Sequence, residues 1–248
     1  MSNKILFIGK FNPADAVSNK YASAAGTIVQ EEIISQLVAL APDVDARFIA
    51  MEPKRIWPHG ELVVSGTNRD NGLFIGYINL PILKNIIFSI VIFLYSLKFR
   101  PKLIVQYNSY LFENIAILLC QKFLAIKNCL ILQDVRVGSG FSRAARWHDL
   151  LSNIFLRKFD LVIPITKRLA EKFKLKNYIV FNGGITGQGY ELLKCHGPLR
   201  NIAVFAGALE SYNGIDRLID FWLKHDPSVE LHIFGRGSLS DAVKLAAQ

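Results

Sequence analysis

Short apolar runs alternate along this chain with segments whose apolar residues recur at helical spacing, and this alternation predicts a parallel sheet flanked by helices. The apolar runs predict strands at 4–8, 45–50, 62–64, 103–106, 129–132, 161–165 and 178–181. The helical spacing predicts helices at 28–38, 86–97, 114–124 and 147–155. We expect the strands at 4–8, 103–106, 129–132 and 161–165 to be neighbours in one mostly parallel α/β sheet.

The same pattern recurs near the end of the chain. An apolar run, Ile202–Ala206, predicts a buried strand, and apolar residues from Ile215 to Trp222 then follow helical spacing. A second predicted strand, 231–234, ends in Gly235-Arg236-Gly237. Two buried strands joined by an amphipathic helix form a βαβ unit with a parallel pair. Both strands end in glycine at the carboxyl edge, where open α/β sheets bind ligands.

Three motifs in this region carry a family resemblance. They are Gly207-Ala208-Leu209, Asn213-Gly214-Ile215-Asp216 and Gly235-Arg236-Gly237. Their order resembles the start of the donor-nucleotide domain of GT-B glycosyltransferases of the retaining family-4 type, the glycosyl transferases of group 1. The resemblance implies a GT-B-like α/β fold with two Rossmann-like domains. It also implies a reaction that moves a sugar from a nucleotide-sugar donor to a saccharide or lipid-linked saccharide acceptor in surface polysaccharide synthesis.

The resemblance implies donor-binding roles for Gly207, Asn213, Gly214, Gly235 and Gly237. Family members usually carry an arginine and a lysine at the positions of Ala208 and Asn213, and those two side chains hold the donor diphosphate. Both basic side chains are absent from this sequence. A second hypothesis is therefore a truncated or degenerate, non-catalytic relative that binds a saccharide, a membrane or a partner subunit.

The acceptor side is expected in the first domain. Asp134 follows a predicted buried strand at its carboxyl end, where a carboxylate can orient a hydroxyl or accept its proton. The family often has a His-Asp or His-Glu pair here, and Gln133 replaces the histidine. A turn or helix-capping aspartate is the alternative. The resemblance implies acceptor contacts from Phe11, Asn12 and Arg136. The long loop 10–26 is expected to line the acceptor side, with an ordinary surface loop as the alternative.

The motif order implies three parts: an acceptor-side domain at 1–182, a linker at 183–200 and an incomplete nucleotide-sugar domain at 201–248. Family members continue with further βα units, so we expect a truncated or partial chain, or an interrupted gene. Thr27 with Gln30 fits a capping box that would begin the first helix, and Ser240 is expected to cap a last helix. The start of the chain predicts a strand and no signal peptide.

The segment 86–97 is the most apolar part of the chain. We considered a buried helix, a helix lying on a membrane surface and a membrane span, and the piece is short for a span, which needs about 20 residues. Its large apolar residues exceed one core-facing stripe. A run of basic residues lies further along the chain: Arg157, Lys158, Lys167, Arg168, Lys172, Lys174 and Lys176. A cytoplasmic protein that docks on the inner, anionic membrane face is therefore one interpretation.

Composition narrows the remaining choices. The chain has 248 residues, 51% hydrophobic content and a net charge of +9, which fits a globular protein with a basic surface. No nucleic-acid-binding motif accompanies that charge, so no nucleic-acid partner is expected, and a solvated basic surface is the alternative to an anionic partner. The same two alternatives apply to Arg143, Arg146 and Arg157 beside the predicted helix 147–155.

Cofactor chemistry receives little support. The three cysteines are widely spaced, which indicates a reducing compartment and no metal site. A nicotinamide-dependent oxidoreductase was a third hypothesis, but the G-x-G-x-x-G fingerprint is missing after the first strand. We expect no cofactor and no metal, since the resemblance implies that basic side chains and helix ends stabilise the leaving diphosphate.

Overall fold

A computed structural model describes residues 3–13, 24–39, 43–134, 143–183, 201–225 and 228–246. Contacts within the chain divide it into a first unit, Met1–Gly183, and a second unit, Gly184–Gln248. The predicted linker 183–200 lies outside the described residues except for Gly183, so its role as a linker stays a prediction.

The first unit is built on a seven-stranded sheet. The strands of the sheet are β1 (Asn3–Gly9), β2 (Val44–Ala50), β4 (Thr67–Arg69), β5 (Gly72–Phe74), β7 (Leu103–Tyr107), β8 (Lys127–Leu132) and β9 (Leu161–Pro164). Two further strands, β3 (Val63–Val64) and β6 (Tyr77–Ile78), form a separate antiparallel pair. The sheet order is β4-β5-β2-β1-β7-β8-β9, and β3 pairs with β6. All neighbours in the sheet are parallel except β4 and β5. The predicted mostly parallel sheet is confirmed, with β1, β7, β8 and β9 adjacent.

Helices connect these strands and cover both faces of the sheet, as parallel connections require. They are α1 (Ala24–Ala39), α2 (Leu83–Phe99), α3 (Leu111–Leu124), α4 (Arg143–Ile154) and α5 (Lys167–Lys172). A short 3-10 turn, Leu156–Lys158, follows α4.

The alternation of side chains along β1 creates two hydrophobic layers. Leu6 and Ile8 point into one layer, which includes Ile92 from α2 and Ile117 from α3. Phe7 points into the other, which includes Ile34 from α1. Successive side chains of a strand face opposite sides of the sheet, so one short apolar run supplies both layers.

Helix α2 has two different faces. Phe88, Ile92, Ser96 and Phe99 are buried, whereas Leu94 on the opposite face is 56% exposed. The segment 86–97 is therefore a helix with one stripe in the core and a second apolar stripe at the surface. None of the helices among the described residues is long and apolar enough to cross a membrane.

Two local predictions are wrong. Helix α1 begins at Ala24, so Thr27 lies inside the helix and does not cap it; its hydroxyl instead accepts the backbone N–H of Asn12 at 3.3 Å. Residues 178–181 form no strand, because the ladder beside β9 contains one isolated parallel bridge, between Val162 and Tyr178. Tertiary contacts of single residues decide both outcomes.

The second unit contains the predicted βαβ arrangement. Its elements are β10 (Ile202–Ala206), a 3-10 turn (Ser211–Asn213), α6 (Ile215–His225), β11 (Glu230–Phe234) and α7 (Ser240–Ala246). Strands β10 and β11 pair in parallel, with Ile202 opposite Glu230 and Ala206 opposite Phe234. The hydroxyl of Ser240 accepts the N–H of Gly237 at 3.1 Å and donates to the carbonyl of Gly237 at 2.7 Å, so it closes the turn that precedes α7.

The two faces of α2 give a direct test. Ile92 is fully buried and Ile90 is 53% exposed. Ile92→Ala should lower the free energy of unfolding by about 2–5 kcal/mol, because it removes buried methyl groups and leaves a cavity. Ile90→Ala should change it by less than about 0.5 kcal/mol. Urea denaturation of both variants measures the difference, and equal losses would contradict the assignment of the buried face.

Candidate functional site

A cavity of about 810 Å³ opens at the carboxyl edge of the first unit's sheet. Loops after β1, β2, β7 and β8 meet the first turns of α1 and α2 there. The residues that line it are Lys10, Ala25, Gly26, Val29, Gln30, Met51, Pro53, Lys54, Ile56, Pro81, Lys84, Asn85, Tyr107, Asn108, Tyr110, Gln133 and Asp134. This is the edge at which open α/β sheets bind ligands, and the volume suits a small molecule.

Asn108 fixes the position of the predicted catalytic residue. Its side-chain oxygen accepts the backbone N–H groups of Gln133 at 3.0 Å and of Asp134 at 3.1 Å. Asn108 itself has a positive φ of 59°, a conformation that asparagine tolerates better than most residues. The end of β7 therefore holds the end of β8 in place, and the exposed side chain of Asp134 lines the cavity.

A buried amide network supports Asn108 from below. The side-chain amide of Gln106 donates to the carbonyl of Asn108 at 2.8 Å and to the side-chain oxygen of Asn114 at 2.9 Å. Asn114 in turn donates to the hydroxyl of Ser109 at 2.9 Å. Buried polar groups need partners of this kind, so polar side chains from β7, from the loop after it and from α3 act as one support.

Tyr107 provides a neutral hydroxyl beside this carboxylate. It is 6% exposed, and burial, together with the charge of Asp134, raises the pKa of Tyr107 to about 12. The phenol therefore stays protonated near neutral pH. The cavity thus combines a carboxylate that can accept a proton with a phenol that can donate a hydrogen bond.

The end of β1 is clamped by α1. The N–H of Lys10 donates to the side-chain oxygen of Gln30 at 3.1 Å, and the Gln30 amide donates back to the carbonyl of Lys10 at 3.0 Å. A side chain at Gly9 would place a Cβ 2.3 Å from that Gln30 oxygen. A larger residue at the end of β1 would therefore push Gln30 out of the position in which it holds Lys10.

The side chain of Lys10 reaches a buried carboxylate. Its ammonium nitrogen lies 2.5 Å from Oε1 of Glu113, whose side chain is 1% exposed. It also donates to the side-chain oxygen of Asn85 at 3.3 Å and lies 3.8 Å from the ring centroid of Tyr110. The carboxylate of Glu113 makes no conventionally directed hydrogen bond among the described residues. The contact between Lys10 and Glu113 is therefore an ion pair: the charged atoms are close, but their directions do not suit a hydrogen bond.

Two further lysines line the same cavity. Lys54 pairs with Glu52 at 2.8 Å. Lys84 donates to the side-chain oxygen of Asn79 at 3.5 Å, and among the described residues no carboxylate lies within ion-pair distance of it. Burial, and then the nearby charge of Lys10, lower the pKa of Lys84. The α2 side of the cavity therefore carries positive charge, while Asp134 lies at the ends of β7 and β8.

Of the three predicted acceptor contacts, the structure describes Phe11 and Asn12, and neither lines the cavity. Phe11 does not line the cavity: its ring is 2% exposed and packs 5.2 Å from that of Phe74. Asn12 is buried, with its backbone N–H on Thr27. Arg136 lies outside the described residues. A contact of Phe11 with an acceptor stays a prediction, and the structure assigns its ring to the aromatic core.

The glycines of the second unit allow two loops to approach closely. A Cβ at Gly235 would lie 1.8 Å from the carbonyl oxygen of Gly207, and one at Gly237 would lie 2.4 Å from that of Leu209. Backbone hydrogen bonds also join the loops after β10 and β11: the N–H of Gly207 donates to Phe234, that of Leu209 to Arg236 and that of Leu239 to Leu209. Close packing of the two loops therefore accounts for Gly235 and Gly237, whether or not a donor nucleotide binds there.

Gly214 and Asn213 shape the turn into α6. Gly214 has a φ of 75°, and a Cβ there would meet nothing within 4 Å. The side-chain amide of Asn213 donates to the carbonyl of Ala208 at 2.8 Å. Asn213 therefore braces the turn, and its side-chain oxygen is the atom left to meet a ligand.

A carboxylate that the motif analysis missed lies in the same loop. Glu210 accepts the N–H of Ser238 at 2.9 Å and its hydroxyl at 2.5 Å, and these hydrogen bonds lower the pKa of Glu210. It joins the two glycine loops, and its negative charge opposes the binding of an anion there. Among the described residues, no group of three or more histidine, cysteine or acidic side chains could hold a metal ion.

Comparisons with known proteins identify the fold. No protein-family model and no curated protein sequence matches this chain. Sucrose-phosphate synthase from Thermosynechococcus elongatus aligns with a TM-score of 0.62 and 15% identity, over 94% of this chain and 62% of that chain. HepE from Anabaena, solved in complex with UDP, aligns with a TM-score of 0.53 and 14% identity, over 99% of this chain and 65% of that chain.

These alignments confirm the GT-B-like fold predicted from the motif order. The chain spans less than two thirds of the length of either protein. At 14% and 15% identity, the alignments show the fold alone.

Most of the cavity was not predicted from the motifs. Lys84, Tyr107, Asn108, Tyr110 and Glu113 carry no family signal. A usable signal for Tyr107 and Asn108 was their place directly after the predicted strand 103–106, at the carboxyl edge of the sheet. Glu113 carried a weaker signal, as the one acidic residue in the apolar segment that forms α3.

The Lys10–Glu113 pair gives a stability test. Lys10→Met should lower the free energy of unfolding by about 3–5 kcal/mol, because it leaves the Glu113 carboxylate buried without its counter-charge. Adding Glu113→Leu should recover most of that loss. Lys54→Met, which breaks the more exposed pair with Glu52, serves as the control and should cost less than about 1 kcal/mol. A double variant no more stable than Lys10→Met would contradict this account.

Proposed function

We propose that this chain belongs to a glycosyltransferase that moves a sugar from a nucleotide-sugar donor to a saccharide or lipid-linked saccharide acceptor in surface polysaccharide synthesis. The observation that carries the proposal is Asp134, an exposed carboxylate at the end of β8, in a cavity of about 810 Å³ beside the neutral phenol of Tyr107. The proposal includes no cofactor and no metal ion.

In the proposed reaction, the first unit holds the acceptor. Asp134 accepts a hydrogen bond from the acceptor hydroxyl and takes up its proton as the new glycosidic bond forms. The bond between the donor sugar and its diphosphate breaks in the same transfer, and the nucleoside diphosphate leaves with the electron pair of that bond. Tyr107 donates a hydrogen bond to a neighbouring oxygen of the acceptor. Asn108 acts on Asp134 only through its backbone, so it is a positioning residue.

The proposed donor side is the pair of glycine loops in the second unit. Gly207 leaves open space at the end of β10, since a Cβ there would meet only the ring of Phe205, at 3.6 Å. The first turn of α6 begins directly after Gly214, and the N-terminus of a helix favours anions, although the N–H of Arg217 already donates to the Asp216 carboxylate at 2.9 Å. HepE, whose fold this chain shares, was solved in complex with UDP, which supports a uridine nucleotide as the first donor to test.

A non-catalytic relative is the second candidate, and specific observations favour it. Ala208 and Asn213 stand where family members carry arginine and lysine, the Asn213 amide braces Ala208, and Glu210 adds negative charge to the loop. Such a protein would bind a saccharide, a membrane or a partner subunit without transferring sugar. Nucleotide binding separates the two candidates.

The first test concerns the acceptor site. Asp134→Asn should reduce sugar transfer from a nucleotide sugar by about 10²–10⁴-fold, because the proton acceptor is lost. The midpoint of urea denaturation should stay unchanged, since the Asp134 side chain is exposed. Asp45→Asn is the control, because Asp45 pairs with Arg47 near the opposite edge of the sheet. Unchanged transfer by Asp134→Asn would remove Asp134 from the site.

The second test concerns the donor loop. Glu210→Gln should tighten UDP binding by about two- to fivefold, since it removes a negative charge from the loop proposed to hold the UDP diphosphate. Glu230→Gln, at the opposite end of the βαβ unit, should leave binding unchanged. Isothermal titration of the full chain with UDP measures both effects. If neither the natural sequence nor Glu210→Gln binds UDP, the non-catalytic candidate replaces the enzyme.

The proposal also places this protein on the cytoplasmic face of a membrane. Five side chains form what we term the α2–α3 face, and all are at least 39% exposed: Ile90, Leu94, Ile115, Leu119 and Phe123. An apolar groove of about 230 Å³ joins the two helices across this face. Contiguous exposed apolar surface of this kind is typical of interaction sites.

Charge favours an anionic lipid surface as the partner of the α2–α3 face. Between residues 83 and 127 the sequence has one acidic residue, Glu113, which is buried against Lys10. Its basic residues are Lys84, Lys98, Arg100, Lys102, Lys122 and Lys127. Each basic group near an anionic membrane contributes about 1 kcal/mol of attraction. The basic run at 157–176 is partly engaged within the protein, since Arg157 donates to the carbonyl of Phe173 at 2.8 Å and Lys167 pairs with Glu171 at 3.7 Å.

Vesicle flotation tests this docking. The full chain should float with phosphatidylglycerol vesicles at low salt, and less with phosphatidylcholine vesicles or at high salt, because salt screens the attraction. Leu94→Glu should abolish flotation. Leu223→Glu is the matched control, because Leu223 is equally apolar and 65% exposed but lies in the second unit. Equal recovery of the two variants would contradict docking through the α2–α3 face.

A further inference from the structure

The lysines of the cavity differ in how their charge is balanced. Lys10 is paired with Glu113 at 2.5 Å, and Lys54 is paired with Glu52 at 2.8 Å. Lys84 has only the neutral amide oxygen of Asn79, at 3.5 Å, as a hydrogen-bond partner among the described residues. Of the three lining ammonium groups, Lys84 is therefore the one whose charge the described protein leaves unbalanced.

The position of Lys84 makes this imbalance costly. It is half-buried in the first turn of α2, next to Asn85, which accepts a hydrogen bond from Lys10 at 3.3 Å. Two ammonium groups thus lie on the same side of the cavity, and both burial and repulsion by Lys10 disfavour the charged form of Lys84. An anion bound between them would restore the missing counter-charge, and phosphate is the common biological group that takes two such contacts.

Asp134 and Lys84 come from different elements of the cavity wall. Lys84 lies in the first turn of α2, whereas Asp134 follows β8 and is held there by Asn108, which follows β7. The cavity therefore has a cationic side, formed by Lys84 and Lys10, and an acid–base side, at the ends of β7 and β8. A ligand that spans it would meet ammonium groups with one end and the carboxylate with the other.

We propose that the acceptor carries a phosphate or diphosphate group, which binds Lys84 and Lys10 while the acceptor hydroxyl faces Asp134. The inference rests on the proposed function, because it names the chemical class of the acceptor of that same site. A neutral saccharide would leave Lys84 unbalanced, whereas the phosphate of an anionic acceptor supplies the counter-charge and its hydroxyl meets Asp134.

Inorganic pyrophosphate is the probe, because it carries the phosphate groups that a soluble and a lipid-linked acceptor would have in common. Titration of the full chain in the presence of saturating UDP should show one pyrophosphate site. Lys84→Gln should weaken that binding at least tenfold, the loss of about one charge-assisted hydrogen bond. Lys167→Gln, which removes a side chain that is 74% exposed on α5, should leave it unchanged. Pyrophosphate binding that is absent, or equally strong in both variants, overturns the inference.

Two competitors identify the source of the phosphate. A hexose phosphate represents a soluble acceptor, and a long-chain prenyl phosphate in detergent micelles represents a lipid-linked one. Displacement of pyrophosphate by one of them, with the same dependence on Lys84, supports the inference and assigns the acceptor type; displacement by neither overturns it. UDP binding, measured separately, reports on the proposed function, so the two failures are distinguishable.

Discussion

The carboxyl edge of the first unit depends on Lys10, the residue that directly follows β1. Its backbone is held on both sides by Gln30 of α1, and its ammonium group meets Glu113 of α3 and Asn85 of α2. One residue therefore ties three helices to β1, the middle strand of the sheet. A buried ion pair contributes little net stability compared with apolar packing, but it restricts the geometry, because each partner is costly to bury alone.

The two units differ in the charge that they present to ligands. The cavity of the first unit is lined by three lysines and one aspartate, and its strand ends are braced by asparagine and glutamine side chains. The glycine loops of the second unit are braced by Glu210 and Asn213. A phosphate group is thus better matched to the first unit than to the described loops of the second. A nucleotide diphosphate would depend there on backbone N–H groups.

Helix α2 links the core to both proposed binding surfaces. Ile92 and Phe88 pack in the core, Lys84 lines the cavity, and Leu94 is exposed beside α3. Successive side chains point in different directions around a helix axis, so one apolar segment can contribute to the core on one face and to the surface on another. A membrane bound to the α2–α3 face would contact the same helix whose first turn lines the cavity. This arrangement suits a lipid-linked acceptor.

The sequence by itself determined the layered α/β fold, because buried parallel strands read as short apolar runs and their helices as amphipathic segments. It also indicated Asp134 through its place after β8. Tertiary structure alone decided the rest. Two of its contacts join residues that are distant in sequence: the ion pair of Lys10 with Glu113 and the hydrogen bonds of Gln30 with Lys10. The structure also places the start of α1 at Ala24, before Thr27. Side-chain packing also sent Phe11 into the core and left Lys84 without a carboxylate partner among the described residues, and no local pattern of residues encodes such contacts.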